Sequence, residues 1–167
     1  MFLALDVHYK TNYAKSVGLN FLNKGDEVAQ ETFIDIINEV AAYEPGQFYK
    51  RELPCLLKTI SKVDLSIINA IIVDGHVYID NDQNYGLGGH LYETLDKKVP
   101  IIGVAKRAFH ANKATVKEVY RGTSQNPLHI SAIGIDLDTA AYFIKSMHGK
   151  HRHPTLFKTL DKLTKIT

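Results

Sequence analysis

Four acidic residues stand in surroundings that do not suit an acid. Asp6 interrupts the apolar run LALDV, and Asp74 ends the apolar run IIVD. Glu52 lies among basic residues in YKRELP, and Asp161 is the single acid of a basic C-terminal segment. A buried carboxylate is costly unless a hydrogen bond, a cationic side chain or a metal ion compensates it. Carboxylates gathered at one place would bind a divalent cation and support the hydrolysis of phosphate esters.

Each acid taken alone also has an ordinary structural explanation. An acid after an apolar run can cap a turn or the start of the next element. An acid among basic residues can form ion pairs, either with its chain neighbours or one turn away on a helix. Considered singly, Glu52 and Asp161 are better explained in this structural way. Asp6 and Asp74 are harder to explain so, because both lie within or at the end of apolar strands.

The elements that would position these acids follow from the periodicity of apolar residues. The first 38 residues alternate apolar and polar side chains around two turns, which predicts three consecutive antiparallel strands. The runs NAIIVD and VPIIGVAK are short and continuously apolar, as is typical of buried parallel strands. ATVKEVYR and LHISAIGI are predicted as two further strands. Together these segments predict an α/β fold with a mixed sheet flanked by helices.

Four helices are predicted around this sheet. The first spans about 48–63, where Pro54 should kink the helix or force it to start closer to the proline. The second is GLGGHLYETLDKK, with glycines in its first turn. The third runs from an N-cap at Asp136 or Asp138 to Gly149. The last is HPTLFKTLDKLTK, with Pro154 near its start.

The strands that carry Asp6 and Asp74 decide what the two acids can do. If these strands are neighbours in the sheet, both carboxylates meet near one edge of it. Two carboxylates held close together repel each other unless a cation lies between them. This arrangement is the one that a metal-dependent nuclease needs.

Composition sets the limits of the interpretation. The chain has 167 residues, 45% of them hydrophobic and 23% charged, as expected for one globular domain. No run of 18 apolar residues predicts a membrane span, and MFLALDVHYK does not resemble a signal peptide. Cys55 is the single cysteine, so no disulfide can form within the chain and no CxxC site exists. We expect a cytoplasmic monomer with no membrane partner.

The net charge of +2 is distributed unevenly. Between positions 145 and 167 six lysine and arginine residues face one acid, and three histidines add further donors. Such a segment suits a polyanion such as nucleic acid, although a solvated helix face has the same composition. The HRH triplet at 151–153 provides no obvious tetrahedral set of zinc ligands.

Several segments, in order and spacing, resemble the endonuclease V family, the deoxyinosine 3′ endonucleases. They are LALDVHY, YEPGQFYKRELP, IIVDGH, YGLGGHLYETLDKKVPIIGVAK and NPLHISAIGIDLDTAA. The resemblance extends from Phe2 to about Leu163. It implies a ribonuclease H-like fold and a single nuclease domain over 1–167. It also implies a magnesium-dependent hydrolase that cleaves DNA to the 3′ side of a deaminated adenine in DNA repair, with Mn²⁺ able to replace Mg²⁺.

The resemblance also implies roles for particular residues. Asp6, Glu52 and Asp74 match the metal-binding carboxylates of the family, and Lys106 in GVAK matches a residue that contacts the scissile phosphate or steadies the developing charge. Aligning the family's R-x-P with positions 152–154 makes Asp161 the fourth metal ligand and catalytic acid. An alternative register would place Thr159 there, which is a poorer ligand.

A second group of residues matches the family's recognition of the damaged base. Tyr43, Pro45 and Gly46 match a wedge that enters the duplex, where Glu44 replaces the usual apolar residue. Gly75, His76 and His90 match the pocket for the everted hypoxanthine. Its glycines would allow the backbone to approach the base, so that backbone amides read the purine edge.

Two other functions agree with the same residues. Some relatives prefer inosine-containing RNA, and the sequence does not separate this inosine-specific endoribonuclease activity from cleavage of DNA. The altered wedge would also agree with a homologue that binds nucleic acid without cleaving it. The four intact acids argue against that second alternative.

Overall fold

A computed structural model describes residues 1–45, 47 and 49–166. Within this part of the chain the strands form one seven-stranded sheet, and helices cover both of its faces. The strands are β1 (Phe2–Tyr9), β2 (Ala14–Phe21), β3 (Glu31–Ile37), β4 (Ala70–Asp74), β5 (Ile101–Ala105), β6 (Lys117–Val119) and β7 (Leu128–Ile133). The helices are α1 (Tyr49–Ile60), α2 (Leu87–Thr94), α3 (Leu137–Lys145) and α4 (Thr155–Lys165).

The sheet has the strand order β3-β2-β1-β4-β5-β7-β6. The first three strands are antiparallel neighbours, and β4 and β5 then add to β1 in parallel. The prediction of three antiparallel strands followed by parallel strands is therefore confirmed. The last two strands differ, because β7 pairs antiparallel with β5 and β6 pairs antiparallel with β7.

Alternation along the strands divides the core into two layers. Ala4, Ile72 and Val104 face the layer that contains the buried side chains of α3 and α4. Leu5 and Val73 face the opposite layer, which contains those of α1 and α2. The end of the sheet where β1, β4 and β5 finish can therefore be reached by side chains from helices on either face.

The helices largely follow the predicted positions. Helix α1 begins at Tyr49, close to the predicted start at about 48. Pro54 lies inside α1 and is exposed, so of the two predicted effects of this proline the later start of the helix does not occur. Glu52 consequently occupies the first turn of α1. Asp136 caps α3 by accepting from the backbone N–H of Thr139 at 3.0 Å.

The end of α3 was also predicted incorrectly. α3 ends at Lys145 rather than Gly149, because the backbone N–H of His148 leaves the helical pattern and donates to the carbonyl of Lys24 at 2.9 Å. Positions 146–154 form the connection to α4, which we call the α3–α4 loop. No helix in the described residues has both the length and the apolar character needed to cross a membrane.

Candidate active site

The register of the sheet brings three of the predicted residues to one edge. Leu5 pairs with Val73 across β1 and β4, so Asp6 and Asp74 follow side by side at the next position. Asp74 in turn pairs with Val104 of β5, and Lys106 lies two residues beyond it. Because side chains alternate along a strand, Asp6, Asp74 and Lys106 lie on the face that carries α3 and α4.

These side chains line a cavity of about 160 Å³. Ala4, Ile72 and Val104 line its apolar part. Helix α4 contributes Phe157, Leu160 and the carboxylate of Asp161. The cavity is thus apolar inside, and acids from β1, β4 and α4 line it together with Lys106 and Lys158.

Helix α4 carries both candidate residues of the last motif, Asp161 and Thr159. Asp161 lines the cavity, and its Oδ2 also lies 3.1 Å from the Nζ of Lys165, one helical turn away. Thr159 is exposed, and its hydroxyl donates to the carbonyl of Thr155 at 3.2 Å. The fold therefore brings Asp161, and not Thr159, to the other acids.

Glu52 approaches from the opposite face, in the first turn of α1. Its ordinary structural partners are engaged elsewhere: the Nζ of Lys50 lies 3.8 Å from Oε2 of Glu44, and the guanidinium of Arg51 stacks 3.8 Å above the ring of Tyr9. The pKa of Glu52 is raised to about 8. Burial is the largest cause, and the charges of Asp74 and Asp6 add to it, while Arg51 lowers the pKa by less. Glu52 is therefore a half-buried acid, and Arg51 offsets only part of the rise in its pKa.

The same crowding perturbs the other acids. The pKa of Asp6 is raised to about 7, mainly by burial and also by the charges of Asp74 and Asp161. The N–H of Val7, which donates to Oδ1 of Asp6 at 2.9 Å, and the charge of Lys106 lower this pKa in part. Asp74 keeps part of its surface open to solvent, yet the protein around its carboxyl raises its pKa by desolvation. Lys106 lowers the pKa of Asp74 and Asp161 raises it. Lys106 lowers the pKa of Asp6 and of Asp74 by less than burial and the neighbouring acids raise them.

The four acidic side chains do not converge on one point in this structure. Among the described residues, no three acid, histidine or cysteine side chains are close enough to hold one ion together. The donors are nevertheless all carboxylate oxygens, which hard divalent cations prefer, and burial together with the charges of neighbouring acids raises the pKa of Asp6 and Glu52. The residues present therefore fit such a cation once their side chains turn toward one point.

The raised pKa values predict how stability depends on pH when divalent cations are removed. Folded Asp6 and Glu52 hold protons that the unfolded chain releases near pH 4. Their contribution to the free energy of unfolding is therefore complete below pH 4 and is lost as the pH rises through about 7 and about 8. In EDTA, thermal unfolding should occur at a lower temperature at pH 9 than at pH 5.

The control for this prediction is the double variant Asp6→Asn and Glu52→Gln. Amides do not titrate, so the variant should lose most of the decline between pH 5 and pH 9 that the unsubstituted protein shows. An identical pH profile for both proteins would contradict the assignment of these raised pKa values.

Three neighbours of the acids were not predicted. His153 and Lys158 line the same cavity, and Phe157 forms part of its wall. Burial lowers the pKa of His153, and the charges of Lys106 and Arg152 lower it further. Lys158 precedes Asp161 by three residues, a spacing that places both on one side of a helix, and this was the available signal.

Arg152 also supports the site. Its Nη2 donates to the carbonyl of Lys106 at 2.6 Å and to that of Pro127 at 2.8 Å. The α3–α4 loop is thereby tied to the segment that follows β5. Lys106 is held in place at its backbone, while its side chain remains exposed.

The predicted base pocket is only partly as expected. Gly75 has a φ of +147°, which favours glycine, and His76 is half-buried with a buried Nδ1 that has no partner in the described part of the chain. The N–H groups of Gly86 and Gly88 donate to the carbonyls of Val77 and His76. Those amides are not available to a base, so this part of the interpretation was wrong.

The glycines of this segment instead permit close packing. A Cβ at Gly88 would lie 2.9 Å from Cγ2 of Val77, and one at Gly86 would lie 2.8 Å from the carbonyl oxygen of His76. Side chains at these positions would therefore push α2 away from the turn at 75–77.

Aromatic rings lie next to this turn. The ring of His90 stacks on Tyr49 of α1, with centroids 3.7 Å apart and planes 15° apart, and Tyr85 meets it edge-on at 5.7 Å. Phe109, 41% exposed, lies 6.4 Å from the ring of His76.

The predicted wedge lies apart from the cavity of the acids. Tyr43 is 62% exposed and Pro45 is exposed, and neither lines that cavity. Gly46, the third predicted wedge residue, lies outside the described residues.

Comparison with known proteins identifies the family. A family model described as Endonuclease V matches residues 2–162. The chain belongs to the Endonuclease V family. Endonuclease V of Saccharolobus islandicus (strain M.16.27) is 26% identical over 174 residues, which cover 98% of this chain and 80% of the relative. Endonuclease V of Saccharolobus solfataricus is 26% identical over 172 residues, which cover 96% and 79%.

Solved Endonuclease V structures share the fold. Ciona intestinalis Endonuclease V, solved with a 24mer DNA containing an inosine followed by a ribo-adenosine, matches with a TM-score of 0.82 at 17% identity, covering 98% of this chain and 84% of that one. The catalytic domain of human Endonuclease V matches with a TM-score of 0.73 at 19% identity, covering 98% and 80%. The predicted ribonuclease H-like fold is confirmed.

Proposed function

We propose that this Endonuclease V family member is a metal-dependent endonuclease that cleaves DNA to the 3′ side of deoxyinosine. The observation that carries the proposal is the cluster of under-compensated acids beside Lys106 at the end of β1, β4 and β5. Acids in such an arrangement destabilise the folded chain and are retained where a cation and a phosphate are to be bound. The single nuclease domain would comprise 1–167.

Asp6, Asp74, Asp161 and Glu52 are the residues that would hold the cation. The set contains only oxygen donors, which favours Mg²⁺, with Mn²⁺ able to substitute. When bound, the cation supplies Lewis-acid stabilisation of the charge that develops on the attacked phosphate. The protein contributes the carboxylates from β1, β4, α4 and α1, whose elements hold them on both sides of one sheet edge.

Lys106 and His153 are suited to bind the phosphate itself. Lys106 is exposed beside the acids, and its backbone is fixed by Arg152, so its ammonium can pair with a non-bridging phosphate oxygen. The lowered pKa of His153 keeps its imidazole neutral near pH 7, where one ring nitrogen can accept a proton and the other can donate a hydrogen bond.

Recognition of the base would involve the turn at 75–77 and the wedge. We assign Gly75, His76 and His90 to the base pocket, because a conformationally special turn, an unpaired ring nitrogen and a stack of aromatic rings occur together beside the acids. Tyr43, Pro45 and Gly46 are assigned to the wedge; the first two are exposed, as a probing segment requires.

A second candidate is cleavage of inosine-containing RNA. The Ciona intestinalis complex contains a ribo-adenosine directly after the inosine, which favours a site that tolerates a 2′-hydroxyl at that position. A non-cleaving nucleic-acid-binding homologue is the third candidate, since Glu44 lies within the wedge. We further propose a cytoplasmic monomer that acts in the repair of deaminated DNA.

Matched substrates distinguish these functions. The protein is incubated with Mg²⁺ and end-labelled strands, single and duplex, as DNA or RNA, with one inosine or with adenosine in its place. Nicking of the inosine DNA alone is expected. Preference for inosine RNA would replace the DNA proposal, and binding without nicking, even with Mn²⁺, would favour the non-cleaving homologue.

A further inference from the structure

A second cleft lies next to the cavity of the acids. It is lined by His148, Lys150, His151, His153, Thr155 and Lys158, together with Gly149. His153 and Lys158 line both spaces, so the two are adjacent. No acidic side chain lines this second cleft in the described part of the chain. A path of basic side chains therefore leads away from the candidate catalytic acids.

The α3–α4 loop that forms this cleft is organised from beneath by one buried arginine. Arg121 is 4% exposed and lies two residues after the end of β6. Its Nη2 donates to the carbonyls of Met147 at 2.6 Å and Gly149 at 2.9 Å, and its Nη1 donates to that of His151 at 2.7 Å. Carbonyls along the loop are thus turned toward a buried guanidinium.

The loop also carries N–H groups without a backbone acceptor and exposed basic side chains. Within the described residues, the backbone N–H groups at positions 149–153 donate to no backbone oxygen. Lys150 and His151 are exposed and line the cleft. Gly149 has a φ of +120°, and a Cβ there would lie 2.9 Å from both N and Oγ1 of Thr155. Carbonyls engaged by Arg121, N–H groups without a backbone acceptor and exposed basic side chains together make a surface suited to anions.

His148 shapes the loop and is not a free cation. Its Nδ1 lies 2.9 Å from Oγ1 of Thr155, and its Nε2 lies 2.8 Å from Oε1 of Glu27. The side chains that remain to contact a ligand from this cleft are Lys150, His151 and Lys158.

We propose that this cleft binds the phosphate backbone of the nucleic-acid strand on one side of the cut. This inference rests on the proposed function, because it takes the scissile phosphate to lie beside Asp74 and Lys106. A strand whose scissile phosphate lies there can continue without interruption past His153 and Lys158 to Lys150. The contacts are with phosphates and carry no base information, so this cleft contributes affinity and not selection of inosine.

The test is a binding measurement in EDTA, which keeps cleavage out of the result. Dissociation constants for fluorescein-labelled duplexes with and without one inosine are measured over a series of salt concentrations. Each lost phosphate contact lowers the slope of log K against log salt by about 0.9. Lys150→Ala should lower the slope by about 1 and the double variant with Lys158→Ala by about 2, equally for both duplexes.

Lys98→Ala is the matched control, because Lys98 is exposed and precedes the start of β5, whereas the acids and Lys106 lie at the other end of the strands. Circular dichroism melting confirms that each variant is folded. Slopes and affinities for the double variant that equal those of Lys98→Ala would overturn the proposal, even if the protein nicks inosine DNA. A reduced slope in a protein that never nicks would instead support this cleft and contradict the proposed nuclease activity.

Discussion

Replacing Asp74 by asparagine is expected to reduce nicking of inosine-containing DNA by about 1,000-fold, the upper end of the range seen when a key electrostatic group of an active site is removed. Asp74 is central, because its charge raises the pKa of both Asp6 and Glu52. The charge of Asp161 in turn raises the pKa of Asp74. The amide keeps the size of the side chain but removes the charge that would hold a cation. Single-turnover nicking in Mg²⁺ measures the effect.

The same substitution should make the cation-free protein more stable. Removing one of several mutually repelling acids relieves the others, so thermal unfolding in EDTA at pH 8 should shift upward. Asp96→Asn is the matched control, because Asp96 is exposed beyond α2 and its φ of 57° suits asparagine. Wild-type nicking by Asp74→Asn would contradict the site; inactivity from unfolding is excluded by the melting curve.

Replacing Asp161 by asparagine is expected to reduce nicking by about 100-fold, whereas Thr159→Ala should change it by less than about 2-fold. The two positions lie on one helix, but only Asp161 lines the cavity. The ion pair between Asp161 and Lys165 is half-exposed, so its loss should change the free energy of unfolding by about 0.5 kcal/mol or less. Loss of activity without loss of stability is therefore the expected signature.

The comparison of these two variants also tests the alignment of the last motif. If Thr159→Ala is inactive and Asp161→Asn nicks at the wild-type rate, α4 does not deliver the fourth acid in the way described. Lys165→Ala tests whether Asp161→Asn loses activity only through its ion pair with Lys165. It breaks the same ion pair and should retain activity.

The part of the site carried by strands, Asp6 and Asp74, could be predicted from the sequence. An acid that interrupts or ends an apolar run is visible in the sequence. Strands β1 and β4 are neighbours because β4 pairs in parallel with β1, the first strand of the antiparallel β1–β3 meander. Two-residue alternation then places Asp6 and Asp74 on one face. The family resemblance added Glu52, which local composition alone assigns to an ordinary ion pair.

The part carried by the α3–α4 loop was not readable. Its conformation depends on Arg121, which lies 24 to 31 residues before the carbonyls it binds, and no local sequence pattern predicts such a contact. His153 and Lys158 reach the acids only because this loop sets the start of α4. The glycines before His90 were likewise misread, since their role is packing against Val77 rather than contact with a base.

The most direct test of the account is nicking of one duplex that carries a single deoxyinosine, at increasing Mg²⁺ and in EDTA. We expect a nick on the 3′ side of the inosine that appears with Mg²⁺ or Mn²⁺ and is absent in EDTA. The matched adenosine duplex should stay intact. Nicking that persists in EDTA, or an intact inosine duplex with both metals present, would contradict it.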